Sequence, residues 1–119
     1  MSIYYCLGDE ILWNPSNRPA GLFNGQIGSA AIVFGVPSGL GDVTEDEVQV
    51  DLPVYQEFVA TVFAEYSDSL HGLFQRMIIG FLGPALVLVE RAGGTLPSFG
   101  TAADHWTHLM HQQSRVMPR

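Results

Sequence analysis

Thirteen consecutive residues, Met77 to Val89, read MIIGFLGPALVLV between Arg76 and Glu90. A helix that crosses a bilayer needs about 20 such residues, so the run reads as a buried core helix. Pro84 lies inside it. Proline has no N–H to give the Gly80 carbonyl, so a kink or a split is expected there. After Ala85 the run is apolar on every side, and such a helix must be covered all round. Gly93-Gly94 supplies its stop. The rest of the chain has to provide the cover.

The cover begins with a hairpin. IYYCL and EILW are rich in aromatic and β-branched residues and flank Gly8-Asp9, a pair suited to a tight two-residue turn. Strict alternation puts Ile3, Tyr5 and Leu7 on one face, with Ile11 and Trp13 opposite them on the second strand. Pro15 ends that strand. Ser16 or Asn17 caps the next helix, with Pro19 in its first turn. Phe23, Ile27, Ala30 and Phe34 recur at helical spacing and form its core face. Gly21, Gly25 and Gly28 interrupt this helix at about 0.5–1 kcal/mol each relative to alanine, and close approach of another backbone is the expected compensation.

Gly35 to Asp42 is a loop by composition. Thr44 to Leu52 alternates through Val48, Val50 and Leu52, a half-buried third strand that joins the hairpin. Asp51 and Pro53 open the first long helix, whose stripe is Tyr55, Val59, Val62, Phe63 and Tyr66. Ser67-Asp68-Ser69 breaks it. Leu70, Phe74, Met77, Ile78 and Phe81 carry the next helix into the apolar run. Leu96 to Gly100 is a loop, and Thr101 starts the last helix. The order is β-β-α-β-α-α-α. The predicted class is α+β: one domain over 1–119, a small antiparallel sheet packed against about four helices.

Composition narrows function. Of 119 residues 47% are hydrophobic, enough for one core. Only 14% are charged, against about 25% in typical soluble domains. Sparse charge and thirteen glycines suggest apolar surface hidden in a partner, and a homodimer is expected. The net charge of −7, with five Lys and Arg, excludes nucleic acid and disfavours an anionic membrane. A cationic partner protein or a neutral small molecule remains. Cys6 is the one cysteine, so no internal disulfide forms. MSIYYCLGDE lacks the basic and apolar regions of a signal peptide, so a cytoplasmic location is expected.

One stretch is chemically sharp. Asp104 to His111 reads DHWTHLMH. On a helix Asp104, His108 and His111 fall within roughly 60° of arc, and two histidines with a carboxylate can ligate zinc or iron. His71 or Glu90 would have to complete the set. His71, His108 and Glu90 are also the candidates for acid–base work. Against this, Thr101-x-x-Asp104 fits a capping box, and Trp106, Leu109 and Met110 form the apolar face on the opposite side. On that reading the histidines face solvent or a partner and no cofactor is bound.

Other motifs are weaker. The loop GVPSGLGD lacks the Lys and Ser/Thr of a phosphate cradle. Asp42, Glu45, Asp46, Glu47 and Asp51 lack the spacing of a calcium loop and read as a solvated face or a patch for a basic partner. Asp9 and Glu10 belong to the turn, and Glu57 and Glu65 to a polar helix side. Cys6 has no basic neighbour in sequence and reads as a packed thiol. Tyr4, Trp13 and Asn14, with Tyr5 and Ser16, gather where the second strand meets the first helix and could anchor a binding surface.

Leu7–Asn17 (LGDEILWNPSN), the Gly/Ala-rich helix and Leu86–Gly94 (LVLVERAGG) together resemble a small bacterial single-domain family of unknown function. The resemblance implies a cytoplasmic single domain and brings no activity and no site residues. The expectation is a small acidic interaction or regulatory protein that works by protein–protein binding as a homodimer. The alternative is a small enzyme that uses the histidine/aspartate site of the last helix, by metal or by acid–base chemistry. A third reading is a carrier with a pocket lined by Tyr4, Trp13, Phe23 and Phe58.

Overall fold

Strand β1 (Tyr4–Leu7) lies at the centre of a three-stranded sheet of order β2-β1-β3, in a computed structural model that describes residues 1–119. β2 (Glu10–Trp13) runs antiparallel to β1, as the Gly8-Asp9 turn dictates. β3 (Glu47–Gln49) runs parallel to β1, with Tyr5 opposite Val48. The sheet is therefore mixed, where an antiparallel one was expected. The cause is the connection: the chain leaves β2, travels the full length of α1 (Asn17–Phe34) and a loop, and returns on the far side of β1. β2 has already carried the chain back to the end of the sheet where β1 starts, so a connection that returns to that same end sets β3 parallel to β1.

The hairpin departs from strict alternation. Tyr5 pairs with Trp13 but Cys6 pairs with Ile11, so Leu12 is an extra residue bulged into β2. The bulge turns both Leu12 and Trp13 inward and leaves Ile11 40% exposed. Ile11 thus sits opposite Cys6 rather than on the face of Tyr5. Trp13 stacks on Tyr5 at 5.2 Å between centroids, and Phe23 of α1 meets both rings edge-on.

Helix α2 (Leu52–Asp68) ends before Ser69, and α3 (Gly72–Arg91) begins after His71, so the two helices are separate and the break falls at 69–71, two residues beyond the expected Ser67–Ser69. α3 is one helix of 20 residues, long and apolar enough by length and composition to cross a membrane. Here it is the core: Phe81 to Val89 are buried without interruption, and α1, α2, β2 and α4 (Ala103–Arg115) pack around it. Each fully buried Leu or Val there contributes about 1.5–3 kcal/mol. Pro84 does not split the helix. Gly80, whose carbonyl loses its helical partner, is exposed, so water can satisfy the orphan acceptor. Gly93 (φ +74°) and Gly94 close the end, with the Gly94 N–H on the Val89 carbonyl.

Two local expectations fail. The capping box at Thr101 does not form. Gly100–Ala102 is a 3-10 turn, α4 starts at Ala103, and its capping position is Ala102 with no side-chain bond. Asp104 still lies in the first turn of α4, where a carboxylate favours the helix dipole. The second failure concerns Gly21, Gly25 and Gly28. A Cβ added at any of them would meet nothing within 4 Å. No element of this chain approaches them.

Candidate functional site

Helix α1 turns Phe23, Ile27 and Ala30 inward. On its other side Leu22, Ile32 and Val33 are 70%, 84% and 72% exposed. Such positions on a surface helix are normally charged. Here Arg18 is the one charged residue of the eighteen in α1. The first half of α3 behaves alike: Leu73 and Met77, one turn apart, are largely exposed, as is Leu70 just before the helix.

The two helices meet through an edge-on contact of Phe34 and Phe74 at 6.1 Å. Beside it they leave an open groove of about 540 Å³, with Leu22, Val33, Phe34, Phe74 and Met77 among its walls and Gly21 and Gly25 along its length. No lining residue is charged. None of the twelve Asp and Glu falls within Asn17–Phe34 or Gly72–Val89. Glu65, Asp68 and His71 lie at one end, around a smaller hollow that shares Phe74.

The histidine stretch is not assembled into a site. Asp104, His105, His108 and His111 are all exposed on α4. His71 is exposed at the start of α3 and Glu90 at its end. The structure brings no three His, Cys, Asp or Glu side chains into a geometry that could hold a metal ion. His71 and Glu90 therefore do not complete a ligand set with Asp104, His108 and His111.

The aromatic candidates divide. Tyr4 is 39% exposed, whereas Trp13, Phe23 and Phe58 are core residues, and none of the four lines the groove. Asn14 is half-buried, and its Oδ1 has no hydrogen-bond partner. Its backbone N–H reaches the Pro118 carbonyl, which seats the C-terminal tail beside β2. Cys6 is buried, and burial pushes its thiol above the ordinary value, with Glu47 and Asp9 adding to the shift. That environment opposes thiolate formation. Asp42, Glu45, Asp46 and Asp51 are exposed around the turn before β3 and its exit.

Sequence reading passed over Arg91. Its guanidinium donates to the Leu12 carbonyl at 2.8 Å and to the Ser114 carbonyl and hydroxyl at 3.2 and 3.0 Å, tying α3 to β2 and α4. All three partners are neutral, so the role is structural. It also passed over Leu22, Ile32, Val33, Leu73 and Met77 as a surface. The signal was present for Leu22, Ile32, Val33 and Leu73, which fall outside the expected core stripes of their helices, whereas Leu70 and Met77 were expected in the stripe of α3 and the structure exposes both.

The chain matches a family of unknown function, DUF6086, over residues 1–119. The chain belongs to DUF6086. Neither the comparison with curated proteins nor that with solved structures found a match. Membership of DUF6086 agrees with the resemblance carried by Leu7–Asn17 and Leu86–Gly94, and it attaches no chemistry to the groove.

Proposed function

We propose that this DUF6086 chain is a small acidic interaction protein of the cytoplasm that acts by protein–protein binding, with the α1–α3 face as its docking surface. One observation carries the reading: six large apolar side chains, Leu22, Ile32, Val33, Leu70, Leu73 and Met77, each about two-thirds or more exposed, on α1 and on or just before the first half of α3, where Asn17–Phe34 and Gly72–Val89 bear no acid. Isolated exposed apolar residues are ordinary, but a contiguous patch beside a groove marks a binding surface. The acidity of the remainder deters non-specific association and favours the face that lacks it.

Site-specific photo-crosslinking in cells tests this. A photoreactive residue at Val33 or Met77 is expected to yield a discrete covalent protein adduct, and one at Thr107 on α4 to yield none. Equal labelling at all three positions would refute the reading.

A further inference from the structure

Gly21, Gly25, Gly28 and Ile32 follow one another at i, i+4, i+7 and i+11, so they share roughly 60° of arc on α1. This stripe lies on the side away from Phe23, Ile27 and Ala30. Three interior glycines cost about 0.5–1 kcal/mol each against alanine, and the space above all three is open. Within one copy of the chain nothing offsets that cost. What offsets it elsewhere is close approach of a second backbone, which only a residue without Cβ permits.

We propose that the occupant of this face is a second copy of the chain, the two α1 helices crossing in contact along the Gly21–Gly25–Gly28 stripe, with apolar side chains of each copy seated in the α1–α3 groove of the other. The proposal rests on the reading of this face as a docking surface and adds the partner.

Charge favours that partner. Each copy carries −7, so two copies repel wherever carboxylates face one another. Asn17–Phe34 and Gly72–Val89 are free of them. An isologous contact must be self-complementary, and this one can be. Its centre is apolar and uncharged. Its surroundings carry both signs, Arg18 and Arg76 on the two helices and Glu65 and Asp68 at the end of the groove. The area suffices as well. The six exposed side chains offer on the order of 400–500 Å² of apolar surface. That is close to the apolar part of the roughly 800 Å² each partner contributes to a standard interface.

Sedimentation equilibrium of the purified full chain, from about 1 to 100 μM, is the test. The expected result is a dimer whose dissociation constant rises at least tenfold in Gly25→Ala and in Gly28→Ala. Both variants should melt at or above the wild-type temperature when measured as monomers, because alanine is the better helix former and has room. A separate variant, Ile32→Glu, places a carboxylate on the stripe of each copy and is expected to abolish the dimer. Thr107→Ala should change neither property.

A wild-type monomer at 100 μM overturns the proposal, and so does a dimer indifferent to Gly25→Ala, Gly28→Ala and Ile32→Glu. If the chain is monomeric yet the Val33 and Met77 crosslinkers capture a different protein, the second copy is wrong and the docking face stands. If it is monomeric and sediments with phosphatidylcholine vesicles, the face is a lipid-binding one and both readings fall.

Discussion

The phenol of Tyr55, fully buried on α2, donates a 2.9 Å hydrogen bond to the carbonyl of Ala85 on α3. Ala85 directly follows Pro84, the residue that interrupts the bonding of α3. The contact ties the two helices together at the centre of the core. Tyr55→Phe keeps the ring and removes the donor. A buried neutral hydrogen bond is worth about 1 kcal/mol net, so the variant is expected to lose about that much in urea unfolding with an unchanged slope. A loss below about 0.3 kcal/mol would show that the bond does not hold the pair.

Three buried acids make stability sensitive to alkali. Burial raises the proton affinity of the Tyr5 and Tyr55 phenols and of the Cys6 thiol, and the bond from Tyr5 to Asn24 at 2.5 Å only partly opposes the rise at Tyr5. In the unfolded chain these groups ionise near 9.0 for the thiol and 10.0 for the phenols. Folded, they stay protonated to higher pH. Their contribution is therefore complete below about pH 9 and declines as pH rises past it. The melting temperature is expected to fall steeply between pH 9 and 11. Tyr55→Phe, less stable at pH 7, should show the shallower fall. Parallel curves for the two proteins would contradict this account.

The order of elements was legible because it rests on local signals. Gly8-Asp9, Pro15 and Gly93-Gly94 punctuate the chain where the structure does, and Ser67–Ser69 lies within two residues of the break between α2 and α3. The direction of β3 was not, because it depends on which edge of β1 the returning chain meets, a choice made by packing. Nor was the bulge at Leu12, since Leu12 and Trp13 are both apolar and either could be the inward one. The glycines of α1 were read as a close approach, but sequence cannot say within which molecule. The histidine stretch looked sharpest, yet no three potential ligands come together around it, because metal ligation needs residues that spacing along one helix does not supply.

Gly39 is the tightest point of the loop before the acidic turn. Its φ is +77°, its carbonyl accepts from the Asp51 N–H at 2.7 Å, and an added Cβ would lie 2.5 Å from the Tyr55 backbone nitrogen. The loop thus rests directly on the first turn of α2, and that close approach accounts for the glycine. Gly39→Ala combines a left-handed backbone with a clash against rigid helix backbone. The expected cost is about 3 kcal/mol, read as a lower denaturation midpoint. A variant as stable as the wild type would mean that the loop lifts freely from α2.

The turn between Thr44 and Glu47 offers the opposite case. Its central residues, Glu45 and Asp46, have φ of +53° and +61°, and Thr44 and Glu47 exchange both backbone bonds at 2.9 and 3.0 Å. Two central residues with positive φ define the type I′ geometry that favours Asn-Gly. Glu45 is a poor occupant and Asp46 a tolerated one at a position where glycine is favoured, and Asp46 also offers its carbonyl to the Tyr4 N–H, which fixes the turn against β1. Asp46→Gly keeps every one of those backbone bonds and relieves the strain. It is expected to stabilise the fold by about 0.5–1 kcal/mol, and Glu45→Asn to add a few tenths. The gain should appear as a higher urea midpoint with the sedimentation behaviour unchanged, because the turn lies outside the α1–α3 face. A lower midpoint for Asp46→Gly would show that the aspartate side chain holds the turn, and that the positive φ is compensated by contacts of its own.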